Sequence, residues 1–249
     1  MTLYGEMTKA DWMKALHIKD ENIPTAFILH GEWEHAWNIE IWKELLAEEQ
    51  WIPTWNAITG NYNQTRIGFA NVFGGPQAAM IAHRFAMLGT EIMIQTGYFG
   101  GLSKQASYGD IFIVTGAYME DGVSRWYLSE QDMVYADPML VNEAIAYCEE
   151  MNYSYVTGNI YTTSAMLMET KELVEDWSNR GFIGVDMETA TTFAVASKYN
   201  RRAVGLLNLS DHLIQGDTLY SRIANYEQIE ERTDQKIREI ALYLSSLGK

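Results

Sequence analysis

Carboxylates recur at three places where an apolar run gives way to a turn: Gly31-Glu32-Trp33-Glu34-His35, Gly184-Val185-Asp186-Met187-Glu188 and Leu209-Ser210-Asp211-His212. An ionised carboxylate offers two acceptor oxygens, enough to hold two neighbouring hydroxyls at once. A carboxyl group walled in by apolar side chains keeps its proton near neutral pH and serves as a general acid. The same segments have plain structural readings. Asp186 and Glu188 form an acidic cluster at a helix start, Glu32 and Glu34 are ordinary first-turn carboxylates, and Ser210-Asp211 is a helix cap or an Asx turn. The one cysteine, Cys148, cannot form an internal disulfide, and no Cys-x-x-Cys or His-Glu-x-x-His spacing offers a metal site. No metal or cofactor is expected, so chemistry falls to carboxylates, histidines and backbone groups.

These segments must be positioned by the elements around them. Short apolar runs bounded by Gly, Asn or Asp lie at residues 25–29, 67–73, 91–96, 110–116, 155–161, 181–185 and 203–209. Runs of this length without alternation suit strands covered on both faces. Between them, residues 34–49, 76–88, 138–151, 171–179, 187–199 and 225–247 carry helical periodicity. Pro76 and Pro138 stand where a first helical turn tolerates a missing N–H, and Asp137 is a candidate cap. Strands alternating with helices predict an α/β protein, a three-layer α/β/α sandwich. In open sheets of this kind ligands bind at the carboxyl ends of strands, which is where the three carboxylate segments fall.

The chain has 249 residues, 47% of them hydrophobic, with 33 acidic against 18 basic side chains and a formal net charge of -15. One well-cored domain spanning residues 1–249 is expected, because no linker, repeat or charge block interrupts it. Such an anionic surface repels phosphate backbones, which disfavours nucleic acid and anionic membranes as partners. No apolar run approaches the roughly 20 residues of a membrane span, and Met1-Thr2-Leu3-Tyr4-Gly5-Glu6 lacks a signal pattern, so a cytoplasmic protein is expected.

Five pieces in order closely resemble the nucleoside phosphorylase and nucleosidase superfamily, over nearly the whole chain. They are Gly74-Gly75-Pro76-Gln77 opening a helix, Gln95-Thr96-Gly97-Tyr98 closing a strand, the segment from Gly109-Asp110 to Trp126-Tyr127, Gly184-Val185-Asp186-Met187-Glu188, and Leu209-Ser210-Asp211-His212, and the likeness reaches the N-terminal Leu16-His17-Ile18 and Phe27-Ile28-Leu29-His30-Gly31-Glu32. The resemblance implies a phosphorylase/hydrolase-like fold with a central mixed sheet and a site that cleaves an N-glycosidic bond. Glu188 would then accept hydrogen bonds from two ribose hydroxyls, Met187 would pack on the sugar, and Asp211 would protonate a purine N7 as the base departs. Thr163, Ala165 and Met166 fall where the family lines its base pocket, and the stretch offers no Arg or Gln to read a uracil edge. His17 matches a position from which members reach across a dimer interface to the sugar, which implies a homodimer or a hexamer built as a trimer of dimers. Tyr127 ends a segment similar to the Asp-Gly-Thr-Ser-x-x-Tyr of archaeal-type members, and would lie against the nucleoside or fill an interface. Gln95 and Gly97 stand in the strand end that approaches the nucleoside.

The family binds phosphate with arginines at three places, and here those places read His35, Pro53 and Gln95. Tyr98 replaces a phosphate-contacting Ser or Thr. A dianion held without charge-assisted bonds forfeits the strongest interactions open to it. The departures therefore predict hydrolysis: a nucleosidase acting on a purine-type nucleoside, with Glu34 or Glu32 activating water beside His35. Two alternatives stay open. One is a phosphorylase whose phosphate site is rebuilt, drawing on Arg66, Arg84 or Arg125. The other is a non-catalytic nucleoside-binding or storage protein.

Overall fold

Runs of β-branched and aromatic residues between glycines and polar turns become the inner strands of one sheet. The computed structural model describes residues 2–33, 36–52, 56–221 and 223–248. Among them the strands are β1 (Ala26–Gly31), β2 (Ala47–Ile52), β3 (Ala57–Tyr62), β4 (Thr65–Val72), β5 (Ile92–Gly101), β6 (Ile111–Glu120), β7 (Met133–Tyr135), β8 (Tyr155–Thr163), β9 (Gly184–Asp186) and β10 (Arg202–Asp211). The helices are α1 (Lys9–Leu16), α2 (Ala36–Leu45), α3 (Gly74–Leu88), α4 (Ser124–Tyr127), α5 (Pro138–Glu150), α6 (Lys171–Asn179), α7 (Thr189–Lys198) and α8 (Tyr226–Ser245).

The strands run in the order β10-β6-β8-β9-β5-β1-β4-β3-β2, and β10 also pairs β5. That extra pairing closes β10, β6, β8, β9 and β5 into a barrel-like ring, from which β1, β4, β3 and β2 extend as an open wing. The sheet is mixed: β1 pairs β4 and β5 in parallel, whereas β10 pairs β6, and β5 pairs β9, antiparallel. Helices α3 and α7 pack on each other, and α8 packs on α5 and β10, so helices flank the sheet in an α/β/α arrangement.

Burial follows the sequence pattern. Phe27, Ile28 and Leu29 of β1 are wholly buried between two parallel neighbours, each removing apolar surface worth about 1.5–3 kcal/mol from water. Asp137 caps α5 as expected, its carboxylate accepting from the N–H groups of Met139 and Leu140 at 3.1 and 3.0 Å, with Pro138 in the first turn. The expected helix over residues 34–49 is shorter. It ends at Leu45, and Ala47–Ile52 pairs antiparallel with β3 at the sheet edge. The polar Glu48-Glu49-Gln50 carries no strand signature; pairing with β3 imposes one, with Glu48 turned to φ 52° where the register slips.

Three strand ends converge. β1 ends at Gly31, β9 at Asp186 and β10 at Asp211, with Gly100 of β5 in register with both Val185 and Asp211. Gly97 makes the close approach possible. Its φ is +132°, and a Cβ there would lie 2.7 Å from the Gly31 carbonyl oxygen.

Candidate active site

A cavity of about 380 Å³ opens where these strand ends meet, a volume typical of small-molecule sites. Gly31, Glu32 and Trp33 after β1, Phe73 before α3, and Tyr98 and Gly100 of β5 form one part of its wall. Asp186, Met187 and Glu188 after β9, Ser210 and Asp211 of β10, and Met166 and Glu169 after β8 form the other, with Leu213, Leu219 and Glu230.

β9 is only three residues long, so the chain leaves the sheet at Asp186 and turns into α7 at once. Asp186 secures the turn: Oδ1 accepts from the Thr162 hydroxyl at 2.7 Å, and Oδ2 from the Thr189 N–H at 2.9 Å and the Thr189 hydroxyl. With its oxygens thus occupied, Asp186 is a structural anchor that places Met187 and Glu188 on the cavity. Glu188 Oε1 accepts the backbone N–H of Gly74 at 2.5 Å, at the positive end of the 15-residue helix α3. Its other oxygen faces Gly31, where an added Cβ would lie 2.9 Å away. Burial, and after it the charge of Asp186, pushes the Glu188 carboxyl well above the usual carboxylate range. Burial likewise raises Asp186.

Asp211 lines the same cavity and is 8% exposed. Ser210 Oγ lies between the Phe99 carbonyl, at 3.1 Å, and Asp211 Oδ1. His212, also buried, turns away, its Nε2 2.9 Å from the Ala106 carbonyl. It braces the strand end and does not line the cavity. Tyr98 lines the cavity, while its hydroxyl donates at 2.7 Å to Asp234 of α8, which also accepts from Asn208 at 2.8 Å. Burial pushes Asp234 up to about 6.

The structure therefore brings together Glu32, Met166, Met187, Glu188 and Asp211. Glu34 and His35 lie outside the described residues, as does Pro53. The other expected contacts do not reach the cavity. Gln95 is fully buried inside the sheet, where its amide donates to the Thr96 carbonyl at 2.9 Å and accepts from the Thr192 hydroxyl at 2.7 Å. Gly97 is packed on Gly31. Thr163 accepts the Ala165 N–H, and Ala165 is exposed at the start of the next turn. His17, expected to act across a dimer interface and not in its own subunit's cavity, is exposed at the C-terminal end of α1 in a left-handed conformation. Tyr127 belongs to a different hollow, its hydroxyl 3.2 Å from His83 beside Trp12, Met80 and Arg84. The turn before it is drawn onto α7, because Asp121 accepts from the Val123 and Ser124 N–H groups and from the Thr191 hydroxyl.

No lysine or arginine lines the cavity among the described residues. Arg66 bonds the Asn22 carbonyl, Arg84 stacks over Trp12 at 5.2 Å, and Arg125 pairs with Asp132 at 2.9 Å, so these three serve other places. Sequence reasoning missed Glu169, Leu219 and Glu230 as cavity residues, because none stands at the end of one of the expected strands.

The family model for the phosphorylase superfamily matches residues 34–246. The chain belongs to that superfamily. It is 26% identical over 175 residues to a guanosine phosphorylase of Halorubrum lacusprofundi, covering 70% of this chain and 71% of that one. It is 27% identical over 169 residues to a DeoD-type purine nucleoside phosphorylase of Buchnera aphidicola, covering 67% and 72%. Among solved structures, uridine phosphorylase from Vibrio fischeri superposes with a TM-score of 0.78 at 21% identity, covering 92% of this chain and 94% of that one.

These relatives overturn the expectation of a hydrolytic nucleosidase, since each is a phosphorylase. Gln95, which stands at one of the three places expected for an arginine, turns toward α7, where it accepts from the Thr192 hydroxyl, and is not among the residues that line the cavity.

Proposed function

We propose that the protein is a purine nucleoside phosphorylase, cleaving the bond between base and ribose with phosphate as the acceptor. The observation that carries this reading is the placement of Met187-Glu188 and Ser210-Asp211 on the lining of one cavity in a chain whose relatives are phosphorylases. Ribose would lie against Met187, with its hydroxyls donating to the Glu188 carboxylate. Sugar binding would thus draw Glu188 into its ionised form. Asp211 would hydrogen-bond and protonate purine N7 as positive charge develops at C1′, the two carboxyls working on opposite ends of the breaking bond. Phosphate would attack C1′ from the side of the Gly31-Glu32 turn, with His35 as the basic side chain the sequence puts beside that turn.

Partners and setting belong to the same reading. We take the protein to be cytoplasmic and assembled from dimers, with nucleosides as its small-molecule partners. In support, no helix among the described residues is long and apolar enough to cross a membrane.

The test is base release from a nucleoside panel with and without inorganic phosphate. Ribose 1-phosphate as the product, at a rate saturating in phosphate, is expected. Base release indifferent to phosphate, with free ribose as the product, would overturn the reading.

A further inference from the structure

The 3₁₀ turn Met166–Met168 bends the chain between β8 and α6, closed by the Met168 and Glu169 N–H groups donating to Ala165 and Met166 carbonyls at 2.8 and 3.2 Å. Thr170 then caps α6 by accepting the Leu173 N–H at 3.4 Å. Glu169 is thereby fixed between two anchored elements, and its side chain shares a wall of the cavity with Asp211. Nothing in the catalytic scheme above uses it.

The chemistry of a purine says what a second carboxyl beside Asp211 would meet. N7 is flanked by C8–H on one side and by the C6 substituent on the other, and only the latter makes a strong hydrogen bond. We propose that Glu169 is a specificity-determining residue that reads the purine C6 substituent, donating to an oxo group when its carboxyl is neutral and accepting from an amino group when it is ionised. This rests on the purine reading of the site.

The choice is balanced near neutrality. Burial, and after it the charge of Asp211, pushes the Glu169 carboxyl up to about 7. From β10 the group that lines the cavity with it is Asp211; from β9 and the turn into α7, Asp186 and Glu188; from α8, Glu230; and on α6, which follows it, Lys171 pairs with Glu175 at 3.7 Å. With no lysine or arginine on the described wall, no cation holds Glu169 ionised. A neutral carboxyl offers its O–H to a 6-oxo group and keeps a carbonyl oxygen that can accept from a 6-amino group, whereas an ionised one is acceptor-only and leaves a 6-oxo group facing an acceptor. That mismatch, which arises only on ionisation, sets two acceptors against each other.

The experiment measures equilibrium binding of inosine (6-oxo) and adenosine (6-amino) from about pH 5.5 to about 8, with phosphate-dependent turnover followed separately. The expected result is a fall of about tenfold or more in the preference for inosine over adenosine as pH rises through 7. In Glu169→Gln, whose amide both donates and accepts, the preference should be flat. A pH-independent preference in the wild type, or an unchanged profile in Glu169→Gln, overturns the assignment. A binding switch that survives without phosphate-dependent turnover supports the role of Glu169 and overturns the phosphorylase reading alone.

Discussion

Glu188 and Gly74 stand 114 positions apart in sequence, and the Glu188 carboxylate accepts the Gly74 N–H at 2.5 Å. The bond ties the start of α7 to the start of α3 beside the cavity that Glu188 and Phe73 line. It aims the positive end of one helix at the group proposed to anchor the sugar. Gly31 completes the fit from the other side, because only hydrogen leaves room for the second carboxylate oxygen.

That contact makes Gly31→Ala a sharp probe. The new methyl would lie 2.9 Å from Glu188 Oε2 and push the carboxylate from its place. The displaced atom is a side-chain tip, so the melting temperature should change little. A rise in KM with a loss of at least about tenfold in kcat/KM, roughly 1.4 kcal/mol, is expected from nucleoside kinetics.

Asp211→Asn should slow release of a purine base by about 10²-fold, the usual scale for a positioned general acid. Ser210→Ala should cost less, because it removes a neighbour that orients the carboxyl and leaves the acid itself in place. Single-turnover rates on one purine nucleoside measure both. Near-wild-type chemistry in Asp211→Asn would move the acid elsewhere.

The neighbouring tyrosine is expected to act on stability. Tyr98→Phe deletes the donor to Asp234 and leaves that buried carboxyl with Asn208 as its remaining named donor. A loss of about 1–3 kcal/mol in denaturant unfolding is expected. Because the Tyr98 hydroxyl points to α8 and not into the cavity, kcat should stay within a few-fold of wild type.

Much of this architecture was legible before the fold was known, and particular residues explain where it was not. β1 and β10 announce themselves because both faces are covered, so their apolar runs are uninterrupted, and Met187, Glu188 and Asp211 follow directly from where such runs stop. β2 hides because Glu48-Glu49-Gln50 is a solvated edge that pairing alone makes a strand. β7, three residues long, is too short to carry a period. Glu169 sits after exposed Leu167 and Met168 and resembles a first-turn carboxylate of α6; only the preceding 3₁₀ turn brings it to the cavity. Tyr127 shows the opposite case, since its motif is present while its hydroxyl lies 3.2 Å from His83 in a separate hollow.

The raised carboxyls of the β9 turn also set how stability depends on pH. In the unfolded chain Asp186 and Glu188 ionise in the ordinary carboxylate range, whereas burial makes the folded protein hold both protons to higher pH. Between those limits the native state binds more protons than the unfolded one, so stability falls as pH rises. The contribution is complete below the ordinary carboxylate range and is lost as pH climbs through the folded values. Each tenfold difference in proton affinity corresponds to about 1.4 kcal/mol. Other groups push the same way, including Glu169, Asp234 and the general repulsion of a chain with net charge -15. The diagnostic quantity is therefore the difference between wild type and Glu188→Gln, whose amide oxygen can still accept the Gly74 N–H but cannot ionise. Denaturant melts from about pH 5 to about 8 should show a fall in the wild type that is distinctly shallower in Glu188→Gln. Parallel curves would mean that the Glu188 proton is held no more tightly in the folded chain than in the unfolded one.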